Sequence, residues 1–206
     1  DLWHLYFDSI KDDSPMNSFI AAQMPGQGKN QAYKTLEHAV QDRRLVVYAQ
    51  RCFVKQAFSW FDPTQVARIQ DHNVPWDFDH IVPQIWFDGR AHDLGEHRNQ
   101  AKVWKASNGN FRVWPAESNR SKRDGILLED RLPDYGLQDL DSVCKASAVP
   151  EESWFKHRSS LDVDGFFTNL EDNLQKFMDA ALDRTVRIYR DWWDTLRLNE
   201  LTEDIT

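Results

Sequence analysis

Apolar positions recur at helical spacing in two long stretches of the chain. Over 31–60 they fall at Tyr33, Leu36 and Val40, then at Leu45, Tyr48, Ala49, Cys52, Phe53 and Phe58, which predicts helix until Asp62-Pro63 stops or restarts it. Cys52 lies on that stripe and reads as a packed thiol. Over 164–198 the stripe runs through Phe166, Leu170, Leu174, Phe177, Ala181, Val186, Tyr189 and Trp192. It predicts one core-facing amphipathic helix or two in succession, after a helix start at Pro150-Glu151-Glu152. Between the two stretches the period changes. PWDFDHIVPQIW, from Pro75 to Trp86, is aromatic and β-branched with partial alternation, and predicts a strand ending at Pro83. NFRVWP over 110–115 predicts a second short strand, and ESNRSKRD over 117–124 a short helix between Pro115 and Gly125. Residues 88–109 and 126–150 read as loops. Pro25-Gly26-Gln27-Gly28-Lys29 reads as a turn, because a phosphate loop needs glycine and a hydroxyl residue where Gln23 and Asn30 stand.

Composition sharpens this picture. With 206 residues, 41% apolar and 28% charged, the chain is read as one soluble globular domain over 1–206 with room for a real core. No apolar run approaches the roughly 18 residues of a membrane helix, so no membrane partner is expected. Two cysteines, Cys52 and Cys144, exclude a disulfide framework and a four-cysteine zinc knuckle. No basic-then-apolar leader opens the chain, which points to a cytoplasmic setting. The first residue is Asp1, and the sequence is read as part of a longer protein. The net charge of −8 hides a reversal, because residues 98–123 hold one acid, Glu117, against seven bases. A polyanion would be met there while the acidic remainder limits non-specific binding.

One constellation carries chemistry. Asp79-His80-Ile81-Val82-Pro83 ends the first strand, Asn110 opens the second, and Asn119 lies nine residues later on the short helix. Strand, loop, strand and helix in that order give the layout of a ββα-metal site. Hydrolysis of a phosphodiester needs an activated water and an electrophile on the phosphoryl oxygens. A neutral imidazole such as His80 can take the proton from water. The Asp79 carboxylate and the Asn119 amide are hard oxygen ligands, suited with waters to octahedral Mg²⁺ or Mn²⁺ and not to zinc. In an ideal strand Asp79 and His80 point to opposite faces, so both reach one phosphate only if the strand is ending or bulged there.

At these residues the chain resembles the HNH endonuclease family. DHIVPQ, and an asparagine-to-asparagine spacing of nine ending in NR-x-K, are shared with the HNH domain of RNA-guided CRISPR nucleases. YAQRCFV, FDP, PWDFDHIVP and GNFRVWP look like the C-terminal HNH region of two-part, modification-dependent restriction enzymes of bacteria. The nuclease motifs cover about 76–124, with weaker similarity over 43–75 and the final helix. The resemblance implies an α+β fold in which a ββα-metal core at 76–124 is embedded in a mainly helical scaffold, supported by 31–60 and 150–198. It implies a bacterial, metal-dependent nuclease of restriction or anti-phage defence that nicks DNA. His80 would be the general base, Asp79 and Asn119 the metal ligands, and Glu117 could serve as an alternative ligand. Asn110, placed in the catalytic set, would fix the His80 loop rather than react. Arg98, Arg112, Arg120, Lys122 and Arg123 would contact nucleic acid. The implied partners are DNA and a covalently linked N-terminal sensor domain outside this chain. One centre cuts one strand, so a double-strand break would need two encounters or a homo-oligomer. The competing reading is a catalytically silent DNA-binding or docking module. Trp76, Trp86, Trp104 and Trp114 are expected in the core, and His72, His92 and His97 in solvated loops.

Overall fold

The structure is a computed structural model, and it describes residues 41–61, 74–121, 128 and 131–195. It is mixed α/β and mostly helical. The order is α1 (Arg43–Ala49), α2 (Arg51–Ala57), β1 (Trp76–His80), α3 (Gln84–Gly89), α4 (Arg98–Lys105), β2 (Phe111–Pro115), α5 (Ala116–Ser121), α6 (Leu140–Ala146), α7 (Trp154–His157), α8 (Val163–Thr168) and α9 (Leu170–Thr195). Among the described residues no helix is long and apolar enough to cross a membrane. The turn expected at Pro25–Lys29, and His72, lie outside the described residues.

β1 and β2 form a two-stranded antiparallel ribbon in which Trp76 pairs with Pro115, Asp79 with Arg112 and His80 with Phe111. Two strands alone leave backbone groups of β2 unpaired on its outer edge, and a buried orphan there is costly. Gln50 satisfies those of Val113. Its amide accepts from Val113 N at 2.7 Å and donates to Val113 O at 3.1 Å and Ala146 O at 2.7 Å. The same residue divides α1 from α2, so the single helix expected over 31–60 is broken within its described part. The break shifts the phase of the apolar stripe. Phe53 stays in the core and Cys52 is exposed, not packed as the periodicity implied.

The larger core lies on one side of the ribbon. Trp86, Trp104 and Trp114 meet Phe155, Phe166 and Phe177 there. A smaller core on the other side joins Val46, Phe58 and Phe61 to Trp76, Phe111 and Val113. All four tryptophans expected inside are buried. The segment read as a loop over 88–109 contains α4, an eight-residue helix whose buried side chains are Ala101 and Trp104. The loop expected over 126–150 contains α6, capped by Asp139 and Ser142 in a reciprocal box built with serine where glutamate is usual.

The helix predicted at 164–198 appears as α8 and α9, the latter 26 residues and about 39 Å long. It backs the turn before β2. A Cβ on Gly109 would sit 1.9 Å from Ala181 O, so only glycine admits this approach of helix to turn. Arg184 on α9 is wholly buried and donates to Asn108 O, Gly109 O, Ser147 O and Ala148 O at 2.7–3.1 Å. One guanidinium therefore ties α9 to the turn before β2 and to the end of α6.

Candidate functional site

The ribbon's two faces differ in chemistry. Alternation along the strands places Asp77, Asp79, Arg112 and Trp114 on one face. Arg112 donates from Nε and Nη2 to Asp79 Oδ2 at 2.8 and 2.7 Å, and its guanidinium carbon stands 3.8 Å from the centre of the Trp114 ring. Arg112 is 0% and Asp79 6% exposed. The expectation that Arg112 contacts nucleic acid is therefore corrected: a buried guanidinium committed to a carboxylate has no surface to offer a phosphate. Helix α5 leaves β2 at Pro115 and brings Asn119 to this same face. The carboxylate beside Asn119 is that of Asp77, with Asn119 Nδ2 3.4 Å from Asp77 Oδ2.

The other face carries Trp76, Phe78 and His80. His80 is half-buried and stacks on its cross-strand partner Phe111, ring centres 4.2 Å apart. The strand is regular through His80, with no bulge in the register, so the opposition of Asp79 and His80 expected of ideal geometry is what the ribbon adopts. On this side Arg43 covers the Phe111 ring at 3.6 Å and donates to Asn108 Oδ1 and Ala106 O. Burial lowers its pKa to about 10. Asp88 lies within electrostatic reach of His80. Hydrogen bonds from Lys105 and then Gln84 hold its carboxyl below the usual range, with a smaller contribution from the imidazole.

Asn110 is wholly buried and clamps the turn that follows His80. Its Oδ1 accepts from Val82 N at 2.8 Å, its Nδ2 donates to Val82 O at 3.1 Å and Lys105 O at 3.0 Å, and its backbone oxygen accepts from Ile81 N at 2.8 Å. An asparagine amide has both the acceptor and the donors this requires; aspartate or leucine does not. Glu117 is exposed in the first turn of α5, and Arg98 is exposed at the start of α4. Arg120 lies on α5, while Lys122 and Arg123 lie outside the described residues. His92 is exposed and His97 half-buried.

Among the described residues no three His, Cys, Asp or Glu side chains gather as a metal-binding group. What meets Asp77 Oδ2 is the amide nitrogen of Asn119, which is no metal ligand; the carboxylate and the amide oxygen are the groups whose chemistry suits a hard divalent cation that keeps several waters. Two residues of this neighbourhood escaped the sequence reading. Asp77 could have been found, since it lies two positions before Asp79 and alternation puts both on one face. Arg43 had no local signal, because its place over Phe111 depends on how α1 crosses the ribbon. No protein-family model, curated protein or solved structure matches the chain.

Proposed function

We propose that the chain is a metal-dependent endonuclease of the HNH kind, with a ββα-metal centre, that nicks DNA. The observation that carries this reading is the contact of Asn119 with Asp77 on one face of β1, the strand that ends in a His80 whose following turn is pinned by Asn110. Leaving aside the buried Arg112, the segment 98–123 holds six further bases against one acid, a local positive balance in the sequence that suits a polyanion. In this reading His80, as the unprotonated imidazole, takes the proton from the attacking water. Stacking on Phe111 and the Asn110 clamp hold the imidazole in place, at no conformational cost at the moment of reaction. Asn119 and a β1 carboxylate would hold Mg²⁺ or Mn²⁺, which when bound stabilises charge on the phosphoryl and leaving oxygens. A role in bacterial restriction or anti-phage defence, with a sensor domain outside this chain, follows from the motif resemblance alone.

A supercoiled plasmid incubated with the protein and Mg²⁺ should relax to the nicked form. His80→Ala should slow this at least a hundredfold, since general-base catalysis contributes roughly 10²–10⁴-fold. A His80→Ala protein as fast as the parent removes His80 from the reaction. The regular strand, with His80 and Asp79 on opposite faces, favours a second reading: a catalytically silent DNA-binding module. That module would bind DNA with the same affinity with or without divalent cation and never nick it.

A further inference from the structure

The geometry points to Arg43 as the guanidinium that grips the phosphodiester at His80, a phosphate contact supplied by α1 from outside the motif. This rests on His80 as the base in the nuclease reading above, and not on where the cation sits. Arg43 and His80 lean on one side chain. The guanidinium carbon stands 3.6 Å and the imidazole centre 4.2 Å from the centre of the Phe111 ring, so, adding the two, no more than about 8 Å separates them. A water about 3 Å from the imidazole, phosphorus about 3.3 Å beyond it, and a charge-assisted bond of about 2.8 Å from a phosphoryl oxygen to an N–H span a comparable distance.

Among the described residues Arg43 faces no carboxylate. Its side-chain hydrogen bonds run to two neutral oxygens, Asn108 Oδ1 at 2.5 Å and Ala106 O at 2.7 Å. Nearby cations are committed to acids: Arg44 pairs with Asp42, Lys105 with Asp88 and Arg112 with Asp79. Arg43 is half-buried, and loss of water around it is what lowers its pKa to about 10. A cation desolvated without a counter-ion is costly, and an incoming anion offsets that cost. Two of the five guanidinium N–H groups serve the bonds to Asn108 and Ala106, which leaves three in a planar fork that matches phosphate oxygens. The fold also mounts the two groups together. Asn108 and Asn110 belong to one three-residue turn before β2. Asn108 receives Arg43 and donates from Nδ2 to the backbone oxygen of Asp42, the cap of α1. Asn110 pins the turn that follows His80. Arg184 holds the same turn through Asn108 O and Gly109 O. One anchored turn therefore sets the spacing of imidazole and guanidinium before a substrate arrives.

Two assays on the full chain test this: nicking of supercoiled plasmid with Mg²⁺, and binding of a fluorescein-labelled DNA duplex without divalent cation across a salt series. Thermal unfolding checks that each variant folds. Arg43→Gln keeps a group able to bond Asn108, Arg43→Met keeps the stem over Phe111, and both lose the charge. Either should nick ten- to a hundredfold slower than the parent, and the slope of log affinity against log salt should flatten by about 0.9, the loss of one phosphate contact. Arg43→Lys should restore the slope but only part of the rate, because an ammonium does not donate as a fork. Arg44→Met should leave the rate within twofold and the slope unchanged. A folded Arg43→Gln or Arg43→Met protein that nicks within twofold of the parent overturns the inference and leaves the nuclease reading intact. Slower nicking with an unchanged slope also overturns it, since a purely structural role would produce that result. So does an Arg44→Met protein that loses as much slope as Arg43→Gln. If both neutral variants unfold, Arg43→Lys decides, and a parent-like rate overturns the assignment. A parent that binds DNA without nicking, with the slope still flattened in Arg43→Gln, removes the nuclease reading and keeps Arg43 as a phosphate contact of a silent module. A parent that neither nicks nor binds DNA removes both.

Discussion

The β1–β2 ribbon and helix α9 each bury an arginine, and they satisfy it in opposite ways. Arg112 meets an opposite charge, the Asp79 carboxylate directly across the strands. Arg184 meets four backbone carbonyls at the ends of two elements, one of which, Asn108 O, also accepts from Phe111 N. Burial, and secondarily the charge of Arg112, lower the pKa of Arg184 to about 9. The ribbon's arginine is thus held by a side-chain charge, and the helix's arginine by backbone. Loss of a partner leaves an uncompensated charge in the first case, but only unsatisfied dipoles in the second. The ribbon should be the more fragile region.

The largest effect expected is from Asp79→Ala. It strands Arg112 in a site closed to solvent and should cost about 3–5 kcal/mol in urea unfolding. Replacing the pair together, Asp79→Leu with Arg112→Met, should recover most of that, because a buried ion pair and an apolar pair of similar volume are often near parity. A double variant as unstable as Asp79→Ala would mean the ribbon needs the charges themselves and not only their mutual neutralisation.

Arg184→Met comes next. It fills much of the same space and removes the four hydrogen bonds. Carbonyls left without a donor cost less than a stranded charge, so a loss of about 3 kcal/mol is expected. If this variant is less stable than Asp79→Ala, measured side by side, the comparison between the two regions is reversed.

The same contrast explains what could be read from the chain alone. Helix α9 was legible because Leu174, Phe177, Ala181 and Tyr189 repeat at its period and all face the core. The ribbon was legible through its residue types, the aromatic and β-branched run before Pro83 and the run NFRVWP. What was hidden depends on partners remote in sequence. Gln50 looks like an ordinary helix residue until Val113 is placed opposite it. Arg112 looks like a phosphate contact until Asp79 is known to be its register partner. Helices α4 and α6 span only eight and seven residues, so each offers little length over which a period can be read. The site was legible as a set of residue types. Which carboxylate stands next to Asn119 was not, because that depends on where α5 turns away from β2.

The smallest effect concerns a group on the scaffold side that carries no charge near neutral pH. Cys144 on α6 is buried beside Val143 in the larger core. Burial raises its thiol pKa from 9.0 to about 11; Lys156, Arg112 and Arg131 act against that shift, and Asp141 adds to it. An acid whose folded pKa is raised holds its proton more tightly in the folded state. Its contribution to stability is therefore complete below about pH 9 and is lost as pH climbs towards about 11, by at most about 2 kcal/mol. Tyr189, its pKa also raised by burial, and Lys156, raised by its hydrogen bonds to Asp141 and Glu151, act in the same direction. The thiol must therefore be isolated by difference. Cys144→Ala should show a shallower alkaline decline than the parent between pH 9 and 11, whatever offset the lost sulfur adds at all pH values. Parallel declines would mean that the thiolate is accommodated without opening the core, and that the helical side of the molecule is more yielding than its packing suggests.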